Sequence, residues 1–199
     1  MKKVSLMFTM LLTVLMSSLV ITSCSSDDDG FSVPENGVHD FVDLGLSVYW
    51  ATCNVGAETP AEYGDYFAWG ETSPKQNYTM VTYTYEGDLD NISGTRYDAA
   101  RVNWGGGWRM PTKEEMEELV SKCEWSRGTI TGPNGNTIYL PKAGMISGTT
   151  KDDVGSHFYY WTSNKNLMLA DDEVGNMFYY GKLDCESHLG FPIRPVRNK

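Results

Sequence analysis

The clearest hydrophobic pattern in the chain predicts an α-helix over residues 112–123. Four apolar residues recur there at i, i+3, i+4 and i+7, which places them on one helical face: Met116, Leu119, Val120 and Cys123. Thr112 is suited to be the N-cap, and Glu115 stands three positions later, so the two can form a capping box. We expect this amphipathic helix to be the main helix of the fold.

Tryptophan gives a second apolar signal on both sides of this helix. We predict a structural core that contains Trp50, Trp69, Trp104, Trp108 and Trp161, with Thr112 and Glu115 as the capping pair. Three consecutive glycines, 105–107, separate two of these tryptophans and allow a close approach of the backbone. We expect Trp104, Trp108 and Trp125 to hold the helix against a sheet.

The remaining patterns predict short antiparallel strands joined by turns. Residues 41–55 alternate between apolar and small or polar positions, as a half-buried strand does. Asn134-Gly135 favours a hairpin turn between strands near 128–131 and 137–140. Residues 158–161, 177–180 and 193–196 read as three final strands, and 73–93 as a long irregular loop. The predicted class is α+β: a twisted antiparallel sheet, one main helix and long loops.

The N-terminus has the composition of a bacterial lipoprotein signal peptide. Lys2 and Lys3 precede an apolar stretch, 4–20, and Ile21-Thr22-Ser23-Cys24 resembles a lipobox. We predict that residues 1–23 are a signal peptide and that Cys24 is lipidated, for example with palmitate. A plain signal peptide or a membrane-spanning helix are the alternatives. Two or more acyl chains would make a stable membrane anchor.

An acidic tether follows the lipidation site. Ser25-Ser26-Asp27-Asp28-Asp29-Gly30 is a solvated, self-repelling segment, and we assign residues 24–39 as a flexible linker. The segment resembles the acidic run that directs Bacteroidetes lipoproteins to the outer cell surface. The resemblance implies an outer-membrane protein that faces the cell exterior, and a periplasm-facing spacer is the alternative. We predict that residues 40–199 form a single domain.

Charge narrows the range of partners. The chain has a formal net charge of −10 and no basic run with interleaved aromatic residues. A strongly acidic domain repels phosphate backbones, so we expect no nucleic-acid partner.

Several ordered motifs across the domain resemble the Fibrobacter succinogenes major paralogous domain. The segments are 42–46, 50–57, 64–71, 104–112, 159–163 and 192–196. This family is frequent in surface lipoproteins of gut bacteria and is similar to the C-type-lectin-like fold, in which a W-R-[LM]-P-T segment opens a helix packed on an antiparallel sheet. The resemblance implies a fold, and that fold hosts many functions.

Metal ligands are the first chemistry to consider, since sugar-binding C-type lectins use calcium. Acidic loop residues could supply oxygen ligands, and Asp171, Asp172 and Glu173 are the calcium candidates. The Glu-Pro-Asn, Gln-Pro-Asp and Trp-Asn-Asp motifs of those lectins are absent, so we expect solvated loop tips and no metal or other cofactor. Cys185 and His188 alone have zinc-like spacing, and two ligands do not make a site.

The sequence also gives no motif for catalysis by a cysteine nucleophile. Three cysteines remain besides Cys24, and no local motif pairs one with a histidine base. A Cys53–Cys123 disulfide and free, buried thiols are both open at this point. We predict that the protein is not an enzyme.

Paired tyrosines could form a platform for a ligand. Tyr159 and Tyr160, and likewise Tyr179 and Tyr180, alternate on a strand, so one ring of each pair should face the core and the other solvent. We predict a non-enzymatic surface lipoprotein whose lectin-like domain binds a glycan or a surface protein. The alternatives are a structural or assembly component of the outer-membrane surface without a small ligand and, third, an enzyme that acts on extracellular polymer.

Overall fold

The computed structural model describes residues 39–165, 167–171, 177–181 and 186–199. For residues 177–181 it describes the backbone alone. These residues all belong to one unit, Ser32–Lys199. The predicted signal peptide, Cys24 and the tether up to residue 38 lie outside the described residues, as do Asp172, Glu173 and Cys185. Within the described ranges, no helix is long and apolar enough to cross a bilayer.

Small antiparallel sheets and few helices make up the described part of the chain, so the predicted α+β class is confirmed. The strands are β1 Phe41–Val42, β2 Val48–Ala51, β3 Trp108–Arg109, β4 Glu124–Ser126, β5 Thr129–Thr131, β6 Thr137–Tyr139, β7 Met145–Ser147, β8 Thr150–Asp152, β9 Tyr159–Trp161, β10 Leu167–Asp171, β11 Met177–Gly181 and β12 Val196–Asn198. They form sheets of order β1-β2-β12-β3, β11-β10-β9, β4-β5-β6 and β7-β8.

The main helix, α2, spans Lys113–Lys122, and its predicted capping box is present. Thr112 is the N-cap and accepts from the backbone N–H of Glu115, whose carboxylate accepts from the N–H of Thr112. Met116 and Leu119 are the buried residues of its apolar face. A second helix, α1, spans Ala99–Trp104 and begins at Asp98.

Three strand predictions need correction. Residues 41–55 are not one strand, because Gly45 has a φ of +79° and the chain turns between β1 and β2, which then pair with each other. Leu44 and Leu46 are nevertheless buried. The alternation of apolar and polar residues therefore predicted correctly which side chains are buried, but not that they belong to a strand. The last strand begins at Val196, after Pro195. The strand β10, Leu167–Asp171, lies where a loop was expected between the predicted strands 158–161 and 177–180.

The apolar interior consists of two clusters. The first includes the α2 face, Trp50, Tyr160 and Leu169, and Trp125 packs against it. The second includes Trp69, Trp104, Trp108 and Trp161. The prediction that Trp104 and Trp108 hold the helix α2 is therefore wrong: they lie on α1 and β3, edge to face with each other, in the second cluster. Of the three tryptophans, only Trp125 packs against the cluster that contains Met116 and Leu119.

The long loop predicted at 73–93 contains no helix or strand. It is fixed from inside by Tyr78, whose ring is buried and whose hydroxyl donates to the carbonyl of Tyr66 at 2.5 Å. Its backbone also pairs with Gly148 through an isolated bridge. The loop is thus an ordered part of the domain, although irregular.

Candidate functional site

An aromatic groove of about 500 Å³ lies on the described surface. Four aromatic side chains line it: Tyr63, Trp125, Tyr139 and Phe158. Three charged residues, Arg127, Lys142 and Asp171, and the small residues Ala61, Gly128, Pro141 and Gly155 complete the lining. Sites for small ligands have this composition, with apolar walls and a few polar groups that fix orientation.

The aromatic residues of the groove differ in how far they are buried. Phe158 is buried at the base, and Trp125 lies edge-on to it with ring centroids 6.2 Å apart. Tyr139 has 40% of its surface exposed at the rim. The indole nitrogen of Trp125 is buried and has no hydrogen-bond partner among the described residues. The groove therefore combines a buried apolar ring with an accessible one.

A tight turn places Arg127 at the groove. Ser126 and Thr129 are paired residues of β4 and β5, so Arg127 and Gly128 form a two-residue hairpin turn. Their φ angles are +50° and +88°, the combination that a type I′ turn requires. The Arg127 side chain is exposed and has no hydrogen-bond or ion-pair partner among the described residues.

Asp171 is the centre of a polar network at the other side of the lining. Its side chain is only 1% exposed, and Oδ2 accepts from Lys142 Nζ at 3.0 Å. Oδ1 accepts from the backbone N–H of Phe158 at 2.8 Å and lies 3.2 Å from His157 Nδ1. Lys142 Nζ also donates to the carbonyl of Ser156 at 2.7 Å. The buried carboxylate is thus satisfied by a cation, a backbone N–H and a ring contact.

A buried arginine supports the groove from inside. Arg194 is 1% exposed and donates to the carbonyls of Ala51, Thr52 and Tyr139 and to Asn54 Oδ1, at 2.8–3.0 Å. Burial lowers the pKa of its guanidinium to about 10, so it stays charged at neutral pH. None of these four acceptors is a carboxylate. The charge is instead stabilised by amide dipoles.

The tyrosine platform predicted on β9 and β11 is only partly described. Tyr160 is fully buried, and its hydroxyl donates to the carbonyl of Pro141 at 2.7 Å. Tyr159 is half-buried: its ring stacks on Phe191, and its hydroxyl donates to Asp153. Burial raises the pKa of Tyr159 to about 12. Neither ring is an open platform, and the side chains of Tyr179 and Tyr180 lie outside the described residues.

The calcium candidates do not fit a cation site where they are described. Asp171 was expected at a loop tip, but it is the last residue of the strand β10. Lys142 donates to one of its carboxylate oxygens, and the backbone N–H of Phe158 donates to the other. A calcium ion there would have to displace an ammonium group. Across the described ranges, no cluster of three His, Cys, Asp or Glu residues could hold a metal ion.

The described cysteines are free thiols. Cys53 and Cys123 are both half-buried free thiols, so they do not form the Cys53–Cys123 disulfide that the sequence left open. Burial raises the pKa of Cys123 to about 11, so it remains a thiol near neutral pH. His188, the other half of the zinc-like pair, has its Nε2 3.3 Å from Glu186.

All five predicted core tryptophans are buried: Trp50, Trp69, Trp104, Trp108 and Trp161. The indole N–H groups of Trp69 and Trp161 donate to the carbonyls of Thr162 and Phe67. Trp104 stacks on His39 with ring centroids 3.7 Å apart. These residues stabilise the fold and do not line the aromatic groove.

Of the groove residues, only Asp171, as a calcium candidate, and Trp125, as a residue that holds the helix, were named from the sequence. The lining residues come from segments near positions 61–63, 125–128, 139–142, 155–158 and 171, and only the fold brings them together. The one local signal was Arg127-Gly128, a two-residue turn between strand-like segments in which arginine takes the place of the usual Asn or Gly.

A second groove of about 450 Å³ lies along the long loop, beside Gly70, Lys75 and Tyr97. Its charged groups are mostly used within the protein. Glu71 pairs with Lys75 at 2.7 Å and accepts from the backbone and hydroxyl of Thr84. The aromatic groove combines accessible aromatic surface with an unpaired cation, and it is therefore the better candidate site.

No protein-family model matches the chain, and neither a curated protein nor a solved structure shows significant similarity to it.

Proposed function

We propose that this chain is a non-enzymatic surface lipoprotein whose domain binds a glycan in the aromatic groove. The observation that carries the proposal is the composition of that groove: four aromatic side chains beside hydrogen-bonding charged groups, in a concavity of about 500 Å³. Its volume suits one or two sugar rings.

Sugars are amphipathic, and the groove is amphipathic in the same way. The C–H face of a pyranose packs on an aromatic ring, while its hydroxyl groups need donors and acceptors at the edge of that ring. Tyr139 and Trp125 supply aromatic surface, and Arg127 and Lys142 supply N–H donors. A purely apolar ligand would offer no acceptor to the Arg127 guanidinium or to the third N–H donor of Lys142.

The fold and the anchor are part of the same proposal. A W-R-M-P-T segment leads into the capped helix α2 among antiparallel sheets, and this supports a C-type-lectin-like domain of the Fibrobacter succinogenes major paralogous type. Lipidation of Cys24 would fix the chain in the outer membrane, and the acidic tether would hold the domain away from it, facing the exterior.

Binding in this groove needs no calcium ion. Lys142 already neutralises Asp171, and the cationic and aromatic side chains contact the ligand directly. In this respect the proposal differs from the calcium-dependent mode of sugar-binding C-type lectins.

A glycan array tests the proposal, with the full-length chain purified in a mild detergent and probed in calcium and in EDTA. We expect binding to a defined set of oligosaccharides in both buffers. Tyr139→Ala should weaken it at least about tenfold, because it removes the accessible ring. Phe41→Ala is the matched control: Phe41 is 43% exposed, as Tyr139 is 40% exposed, but it lies on β1 in another sheet.

Absence of binding in both buffers would refute the glycan proposal. Binding that EDTA abolishes would contradict the calcium-independent mechanism. In the first case, a stable protein partner recovered by crosslinking on intact cells would favour the alternative, a structural or assembly role at the outer-membrane surface.

A catalytic role has one observation in its favour, the contact between His157 and Asp171. In the part of the chain that the structure describes, however, no hydroxyl or thiol is hydrogen-bonded to the His157 ring. A base without an adjacent nucleophile, beside a carboxylate already paired with Lys142, is better suited to binding than to nucleophilic catalysis.

A further inference from the structure

We infer that the aromatic groove selects sugars that carry a carboxylate, such as uronic acids, over neutral sugars. This inference rests on the proposed glycan-binding function and specifies its ligand class. It follows from the charges in the lining, which are two cations and one carboxylate, in a chain whose net charge is −10.

Arg127 is the first group that would recognise a carboxylate. Its guanidinium is exposed and has no partner among the described residues, so all of its N–H donors are available. A planar guanidinium binds a carboxylate through two parallel hydrogen bonds, which a neutral hydroxyl group cannot accept in the same way.

The backbone at Arg127 makes this placement unusual. Asn and Gly tolerate the positive φ of +50° better than arginine does. Arg127 is therefore an unfavourable residue for the turn between β4 and β5, but at this position it places a cation in the lining of the groove. Strain of this kind is commonly retained at functional positions.

Lys142 is the second group. Its ammonium has three N–H donors, of which two are used by Asp171 and by the carbonyl of Ser156. The side chain is 33% exposed, so the third donor can reach a ligand. Asp171 does not oppose an anion strongly, because its carboxylate is buried and paired with this same ammonium.

Two carboxylates that are close in sequence to groove residues accept hydrogen bonds elsewhere. Asp153 accepts from the hydroxyl of Tyr159, and Glu62 accepts from the backbone N–H of Glu58. Neither lines the groove. Within the described lining, Arg127 and Lys142 outweigh the single carboxylate of Asp171, so an acidic sugar would meet a net positive charge there. Because the protein as a whole repels anions, this favours a short acidic segment seated in the groove over general adsorption of a polyanion.

Isothermal titration calorimetry on the full-length chain in detergent tests the inference with three probes. The first is an α-1,4-linked trigalacturonate, the second is the matched neutral trigalactose, and the third is a tri-glutamate peptide, which has the charge without the sugar. We expect trigalacturonate to bind about tenfold tighter than trigalactose, as one charge-assisted pair provides, and tri-glutamate to bind more weakly than both.

Two variants at one position isolate the charge. Arg127→Asn keeps the turn, since Asn-Gly is a favoured type I′ pair, and should reduce the preference for trigalacturonate to near unity. Arg127→Lys keeps the charge without the planar fork and should retain part of the preference. Thermal unfolding of both variants controls for folding.

Equal affinity for trigalacturonate and trigalactose would overturn the acidic selectivity and leave glycan binding intact. Tri-glutamate binding as tight as trigalacturonate would overturn it too, by showing that charge alone suffices. A preference that persists in Arg127→Asn would refute the role of Arg127. Failure of every oligosaccharide, here and on the array, would refute the proposed function itself.

Discussion

The buried guanidinium of Arg194 donates a 3.0 Å hydrogen bond to the main-chain carbonyl of Tyr139, whose ring lines the aromatic groove. The same guanidinium binds the carbonyls of Ala51 and Thr52 at the end of β2. One side chain thus connects the segment before β12 with the end of β2 and the end of β6. Its position explains how an exposed aromatic residue on a short hairpin strand is held in a fixed place.

Arg194→Met should lower the free energy of unfolding by about 3–5 kcal/mol, because four acceptors lose their donors inside the protein. Urea denaturation measures this. Arg127→Asn replaces an exposed arginine by a residue that tolerates the same positive φ, so it serves as the control and should not lower the stability. A loss below about 1 kcal/mol in Arg194→Met would show that the network contributes little.

Arg109 and Glu115 couple the strand β3 to the first turn of α2. Their side chains form two hydrogen bonds, and Glu115 also accepts from the Thr112 backbone. Thr112→Ala should cost about 1 kcal/mol, as the loss of an N-cap does. Glu115→Ala should cost more, because it also leaves the half-buried Arg109 without its carboxylate.

A double-mutant cycle with Arg109→Ala and Glu115→Ala measures this coupling. We expect a coupling free energy of about 1 kcal/mol or more. Additive effects of the two substitutions would contradict the assignment of the pair as one unit.

Asp98 should give the stability an acid-side pH dependence. Its carboxylate is fully buried and accepts from the backbone of Gly94, Arg101 and Met110, and burial outweighs these bonds and raises its pKa to about 6. The folded protein therefore holds this proton more tightly than the unfolded chain does. The contribution of Asp98 to stability is largest below its unfolded-state pKa and decreases as pH rises through about 6.

Urea denaturation of the wild type and of the Asp98→Asn variant at about pH 4, 5, 6 and 7 tests this sign. The substituted amide does not titrate, and its N–H₂ group would face backbone donors, so the variant should be less stable throughout. The stability advantage of the wild type should shrink between about pH 4 and 6. An advantage that grows over this interval, or an NMR titration that gives a pKa below the ordinary aspartate value, would contradict the account.

Two glycines beside the β7–β8 hairpin should differ in their tolerance of alanine. Both Gly144 and Gly148 have positive φ, at +61° and +58°. A Cβ on Gly144 would overlap the carbonyl of Asp152, whereas nothing lies within 4 Å of one on Gly148. Gly148→Ala should cost roughly 1 kcal/mol from the backbone angle alone, and Gly144→Ala ~2 kcal/mol more. Equal melting temperatures for the two variants would refute this difference.

The elements that could be predicted are those whose signals are local. The helix α2 is specified by its cap and its apolar spacing, and Asn134-Gly135 specifies the β5–β6 hairpin, so both were found at nearly their observed bounds. Buried positions such as Leu44 and Leu46 were also evident, although a turn at Gly45 made them part of a loop. Periodicity reports which residues are buried more reliably than it reports strand geometry.

The groove could not be predicted because its chemistry depends on pairs distant in sequence. Asp171 begins an acidic run that is typical of a loop, yet β10 places it beside Lys142, 29 residues away, where its charge is neutralised. Arg127 occupies a turn position at which arginine is uncommon. Tyr139 is held by Arg194, 55 residues further along the chain.

The position of the glycan site is the central claim, and the indole N–H resonances of the six tryptophans test it most directly. The measurement is a titration of the ¹⁵N-labelled chain with the oligosaccharide that ranks first on the array. Trp125 lines the groove, and its buried indole N–H has no partner in the described part of the chain, whereas those of Trp69 and Trp161 are bound to main-chain carbonyls in the core. We predict that the Trp125 resonance shifts most and that the other two stay in place. A titration that leaves Trp125 unchanged while Trp104 or Trp108 shifts would place the site elsewhere and contradict the account.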